Sequence, residues 1–285
     1  MIDVLAGTNR LVDPGRPQLR ISDLAAIRGD GVFETMLARR GVPRKVEAHL
    51  SRLAASARMA ELDIPARAVW HDTITNALRA HGLCEEALVK LAVSRGVEGG
   101  DRVTAWVHVS DCTGHYDTQR TRGIDVLLLD RGYDSGLGIR APWLLIGAKT
   151  LSYAVNMAAL RHARSNGADD AIFVSSDGIV LEGPTSTLLL AMHVDDPARR
   201  TLVTPSLDSG VLAGTTQAAV YPLARAAGWR AHHAELHVED LFEADAAWLV
   251  SSGRLLAPIN RIDGRVLKRR PSLDAELSGW IHQIE

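Results

Sequence analysis

The chain has 285 residues, 46% hydrophobic and 23% charged, with a formal net charge of −2. At roughly 150 residues per domain this length makes one large domain or two smaller ones, with ample apolar material for a core. The near-neutral balance and the absence of a basic stripe exclude an ordinary nucleic-acid binder; Arg199-Arg200 and Lys268-Arg269-Arg270 read as solvated loop charges.

No run approaches the roughly 18 apolar residues that span a bilayer, and residues 1–15 carry no apolar signal core. Cys84 and Cys112 are too few for a disulfide framework and read as thiols of a reducing compartment. The expectation is a soluble, cytoplasmic protein.

Residues 2–7 form the first strand-like run, followed by a turn at Pro14-Gly15. Gly29-Asp30-Gly31 leads into a strand over 32–37, closed by the turn Arg39-Arg40-Gly41. The spacing of Leu50, Leu53 and Ala57 predicts a helix over 46–62, stopped by Pro65. A second helix is expected over 68–80, with Gly82 just past its end, then strands over 87–93 and 103–109. The polar, aperiodic stretch around 111–120 reads as a linker, giving an N-terminal α/β domain at 1–112, a linker at 113–122 and a C-terminal domain at 123–285. Within the latter, a buried strand at 124–129, a helix at 156–166 ending in Gly167, and a strand at 171–174 follow in order. Asp177-Gly178 marks a hairpin turn, with a return strand over 179–182. A helix over 215–227 capped by Gly228, a strand over 247–250 and an amphipathic helix ending at Trp280-Ile281-His282 complete the chain.

Few of these segments suggest chemistry alone. Lys149 follows the apolar run 143–148; desolvation there would make it a usable amine nucleophile, while the plain alternative is a lysine whose stem packs on apolar neighbours and whose head reaches water. Glu182 lies on an apolar strand, where a buried carboxylate needs a cationic partner such as a protonated pyridine; solvent exposure opposite Leu181 is the alternative. Gly214-Thr215-Thr216 opens a helix and Ser251-Ser252-Gly253 follows a strand. Each is an anion cradle or an ordinary cap or turn, and Arg52 on the first helix would complete a phosphate site. His232-His233 and His237 lack the companions of a metal site, the serines lack a nucleophile-elbow context, and Gly29-Asp30-Gly31 lacks the third glycine of a dinucleotide loop.

In order along the chain, these pieces resemble the fold type IV family of pyridoxal-phosphate enzymes, the class IV aminotransferases. The matching segments are Arg28-Gly29-Asp30-Gly31-Val32-Phe33-Glu34-Thr35, His49-Leu50-Ser51-Arg52-Leu53 with Ser56-Ala57, and Lys149 with Tyr153 and Asn156. Asp169-Asp170-Ala171-Ile172-Phe173 through Glu182-Gly183, Gly214-Thr215-Thr216, and Ser251-Ser252-Gly253 running to Pro258-Ile259 complete the set. The resemblance implies an α/β fold of α+β character in two domains, with pyridoxal 5′-phosphate between them, and a homodimer. It implies that Lys149 carries the cofactor as a Schiff base and shuttles protons. Glu182 would pair with the pyridine nitrogen, Arg52, Thr215, Thr216 and Ser252 would hold the phosphate, and Tyr153 would orient ring or lysine. Arg28, Phe33 and Gly253 are expected on the substrate, with no metal.

Thr187 stands where the family has Asn, Gln217 where it has Arg, and Arg28 where transaminases often have Tyr. Residues 96–101 lack the Arg-x-His pair of D-amino-acid aminotransferases. The resemblance is nearest to 4-amino-4-deoxychorismate lyases, which release p-aminobenzoate and pyruvate for folate synthesis, with Thr35 as the hydroxyl near the leaving group. The alternatives are a branched-chain or D-amino-acid aminotransferase of the same family and, more remotely, a non-catalytic cofactor-binding scaffold.

Overall fold

Residues 2–3 and 10–284 are described by a computed structural model. Backbone packing divides them into two compact units: the residues up to His115 with Ala148–Tyr153, and Tyr116–Gly147 with Ala154–Ile284.

The first unit holds strands β1 (Ile2–Asp3), β2 (Arg10–Leu11), β3 (Gly31–Arg39), β4 (Val42–Pro43), β5 (Glu86–Ser94) and β6 (Thr104–Asp111), with helices α1 (Leu24–Ile27), α2 (Val46–Met59) and α3 (Arg67–His81). The strands form an antiparallel sheet in the order β2-β1-β6-β5-β3-β4. The remainder of the expected first strand, residues 4–7, lies outside the described residues.

Alternation along β3 sends Val32, Glu34 and Met36 to one face and Phe33, Thr35 and Leu37 to the other. Helix α2 covers the first face with His49, Leu50, Leu53, Ser56 and Ala57, the one-sided spacing that made it readable as a helix. It ends at Met59 rather than at 62 because Glu61 takes a left-handed φ of 48° and Arg95 binds the Ala60 and Glu61 carbonyls at 2.7 and 3.1 Å.

Strand β3 pairs with β5 along its whole length, whereas its other edge meets β4 only at Ala38 and Arg39. The segment Ala148–Tyr153, which falls beyond the expected domain boundary, covers the open end of that edge. Phe33 N–H donates to the Lys149 carbonyl at 3.0 Å, and Leu151 N–H to the Gly31 carbonyl at 2.8 Å. The approach is close. A Cβ at Gly31 would run into the Val93 carbonyl and the Leu151 side chain.

The second unit holds α4 (Asp117–Arg122), β7 (Ile124–Asp130), α5 (Leu137–Arg140), α6 (Ala154–Ser165), β8 (Asp170–Val174), β9 (Thr187–Met192) and β10 (Thr201–Pro205). Then come α7 (Thr215–Ala226), β11 (Arg230–Ala234), α8 (Val238–Glu243), β12 (Ala246–Ser251), β13 (Leu255–Ile262), β14 (Arg265–Val266) and α9 (Pro271–Gln283). Its mixed sheet runs β11-β10-β9-β12-β13-β7-β8, with β14 beside β13. Ile172, Leu188, Leu190, Leu249, Ala257 and Ile259 form its buried centre. The hairpin after β8 turns through Ser176, Asp177 and Gly178: Ser175 N–H reaches the Ile179 carbonyl at 2.8 Å, and Gly178 takes a φ of 88°. No helix among the described residues is long and apolar enough to cross a membrane.

Candidate active site

In the first unit, Lys149 is gripped by its own backbone. Its carbonyl accepts the Phe33 N–H, and its N–H donates to Ser56 Oγ on α2 at 3.0 Å. The Lys149 ammonium stands 4.6 Å from the centre of the Phe33 ring and 5.5 Å from that of Tyr153. The two rings meet edge-on at 5.2 Å. The apolar run before it is exposed to half-buried. Pro142–Leu144 is a 3-10 turn with Trp143 75% exposed, and Gly147 bends the chain at a φ of 88°. Tyr153 lies outside α6, which begins at Ala154; Thr150 bridges to Val32, and the Tyr153 N–H donates to the Leu151 carbonyl at 2.8 Å.

On the opposite face of β3, Arg52 is bound bidentately by Glu34, Nε to Oε1 at 2.6 Å and Nη2 to Oε2 at 2.9 Å, and His49 Nδ1 meets Glu34 Oε2 at 2.8 Å. Burial by itself raises the Glu34 carboxyl, but the charge and hydrogen bonds of Arg52, with His49, outweigh it and leave the pKa at about 2. Burial lowers His49, so its neutral ring donates to Glu34. Lys45 is pushed down to about 7, first by burial and then by Arg44 and Arg52.

In the second unit, Thr215 and Thr216 are the first two residues of α7, and Gly214 is its N-cap. Thr215 Oγ1 lies 3.3 Å from Ser252 Oγ, both residues buried. A Cβ at Gly214 would strike Thr187 Oγ1. The loop carrying Ser252 and Gly253 is fastened from two sides. Arg120 donates to the Gly253 and Arg254 carbonyls, each at 2.9 Å, and Arg254 Nη2 binds the buried Asp170 at 2.5 Å. Glu182 is half-buried on the hairpin, its carbonyl accepting the Phe173 N–H at 2.9 Å.

Thus Lys149, Phe33 and Tyr153 come together, as do Thr215 and Ser252. Thr35 is half-buried on the Phe33 face, and Arg28 is exposed with its guanidinium on Glu98 at 2.8 Å. Sequence reasoning quoted Ser56, Glu34, His49 and Asp170 only as motif letters and gave no role to them or to the Arg254–Asp170 pair. Glu34 carried a usable signal, a carboxylate inside an apolar strand followed by a helix that carries His49 and Arg52 in a His-x-x-Arg spacing.

A family model described as Amino-transferase class IV matches residues 31–262. A bifunctional aminodeoxychorismate lyase / D-amino acid transaminase of Mycobacterium tuberculosis is 46% identical, over 92% of this chain and 91% of its own. The chain belongs to the class IV aminotransferase family. Among solved structures, the pyridoxal-phosphate-bound form of a hypothetical aminotransferase from Mycobacterium tuberculosis superposes with a TM-score of 0.90, at 44% identity and 96% coverage of both chains. A fold IV transaminase from Curtobacterium pusillum gives 0.88, at 43% identity, covering 95% of this chain and 92% of that one.

As a class IV aminotransferase the protein is a pyridoxal-phosphate-dependent enzyme that acts on small molecules, with the mixed α/β architecture expected. The chemistry of its donors fits the cofactor. Buried hydroxyls and the N–H groups of a helix's first turn suit a phosphate, a carboxylate suits a protonated pyridine, and an amine is required for the aldehyde. The chain has only four lysines to supply that amine, Lys45, Lys90, Lys149 and Lys268. Lys268 is exposed beside Asp245.

Proposed function

We propose that this class IV enzyme is a 4-amino-4-deoxychorismate lyase that uses Lys149 to hold the cofactor and move protons, and yields p-aminobenzoate and pyruvate for folate synthesis. The likeness to the bifunctional mycobacterial relative over nearly the whole of both chains carries this reading. The placement of Lys149 supports the role given to it: a backbone pinned by Phe33 and Ser56, with the amine above an aromatic pair. When bound, pyridoxal phosphate supplies an electron sink for the carbon next to the substrate amine. Lys149 takes the proton from that carbon, the bond to the enolpyruvyl oxygen breaks, and the released enol gains a proton to become pyruvate. Thr35 donates to the departing group. Arg52, Thr215, Thr216 and Ser252 are assigned to the phosphate, Glu182 to the ring nitrogen, Tyr153 to orienting the lysine, and Arg28, Phe33 and Gly253 to the substrate. The working form is a homodimer in the cytoplasm.

Incubation with aminodeoxychorismate tests the assignment: p-aminobenzoate and pyruvate should appear in equal amounts. The relative's second activity supports one other reading, D-amino-acid transamination. Transfer of an amino group to 2-oxoglutarate without any p-aminobenzoate would select it instead.

A further inference from the structure

The contacts around Lys149 close into a ring. Its N–H donates to Ser56 Oγ on α2, and its carbonyl accepts the Phe33 N–H, each at 3.0 Å. Phe33 precedes Glu34 on β3, and Arg52 donates to Glu34 at 2.6 and 2.9 Å. Arg52 in turn lies one helical turn before Ser56 on α2. The amine given to the chemistry and the guanidinium given to the phosphate are thus joined through short links, all within the first unit.

Ser56 is 2% exposed, so its hydroxyl is withdrawn from water. A serine inside a helix commonly points to solvent or bonds back to the preceding turn. Here the oxygen also accepts from Lys149, 93 positions away. That bond controls a direction. The Lys149 N–H belongs to the peptide plane before its Cα, and the carbonyl to the plane after it. Holding both planes fixes φ and ψ, and with them the Cα–Cβ direction. Phe33 holds the second plane and Ser56 the first. A turn of about 10° at the Cα swings an extended lysine side chain, about 6 Å long, by about 1 Å at Nζ. A displacement of about 1 Å is enough to slow a positioned reaction by about 100-fold.

We propose that Ser56 is a positioning residue, whose hydroxyl sets the approach of the Lys149 amine to the cofactor and keeps it in register with Arg52 through α2. The inference rests on the roles given to Lys149 and Arg52 above. It is independent of the leaving group, so it holds for lyase and transaminase alike.

The test uses wild-type, Ser56→Ala, Ser56→Thr and Ser56→Cys holoenzymes, with steady-state kinetics and a pH titration of the cofactor absorbance of each. The substrate is whichever the wild type turns over, aminodeoxychorismate or a D-amino acid. Ser56→Ala should lower kcat by about 10- to 100-fold, with KM within about 3-fold of wild type. Its titration midpoint should move by at least about half a pH unit. Ser56→Thr keeps the acceptor and should restore most of both. Ser56→Cys, a weaker acceptor of similar size, should lie between wild type and Ser56→Ala. Wild-type kcat and midpoint in Ser56→Ala would overturn the proposal. So would a folded Ser56→Thr as impaired as the alanine variant, or a slowing that vanishes below the unfolding range of Ser56→Ala. A wild type whose borohydride-labelled lysine is not Lys149 overturns the reading of Lys149 and the proposal with it. A wild type that transaminates without forming p-aminobenzoate overturns the lyase assignment alone.

Discussion

Phe33 and Lys149 are joined twice: the Phe33 N–H donates to the Lys149 carbonyl at 3.0 Å, and the Lys149 ammonium stands 4.6 Å from the centre of the Phe33 ring. One strand residue thus holds both the backbone and the head of the lysine. The junction depends on Gly31, which lets the 148–153 segment lie against β3.

Gly31→Val should force the Leu151 side chain and the Val93 carbonyl apart. The expected cost is about 1–3 kcal/mol, read as a lower Tm by thermal denaturation. The same variant should form its lysine–cofactor bond more slowly when cofactor is added back. A Tm equal to wild type would show that the segment yields freely.

Glu34 links the fold to pH. Its carboxyl is depressed to about 2 from an ordinary 4.5, so its stabilisation is complete above 4.5 and is lost as pH falls through 2. The shift corresponds to stability on the order of 3 kcal/mol. Urea unfolding of wild type should show a steep loss between those pH values. Glu34→Gln should be weaker at neutral pH, because Arg52 loses its counter-charge, and flatter in acid. Parallel pH curves for the two proteins would exclude this account.

The loop bearing Ser252 rests on Arg254 and Asp170. Arg254→Met leaves the Asp170 carboxylate buried without its cation and should cost about 3–5 kcal/mol. Adding Asp170→Asn to that variant should recover part of the loss. Thr215→Val, by contrast, should leave unfolding within about 1 kcal/mol of wild type and weaken cofactor retention by roughly 5- to 30-fold in equilibrium dialysis.

Much of this was legible in the sequence where periodicity and punctuation coincide. Helix α2 announces itself by Leu50, Leu53 and Ala57, the hairpin by Asp177-Gly178, and α7 by Gly214-Thr215-Thr216. Strand β9 did not: Thr187-Leu188-Leu189-Leu190-Ala191-Met192 is apolar on both faces, so no alternation marks it. The Lys149 segment was hidden for another reason. Its partners, Gly31, Phe33 and Ser56, lie more than ninety positions away, and nothing in residues 148–153 names them. Glu34 and His49 were visible as motif letters, but their role comes from a strand face meeting a helix, which spacing in one element does not disclose.

The most direct measurement is reduction of the purified holoenzyme with borohydride, followed by mass spectrometry of its peptides. The account predicts one pyridoxyl group, on Lys149. A label on Lys45, Lys90 or Lys268, or none on any lysine, would contradict it.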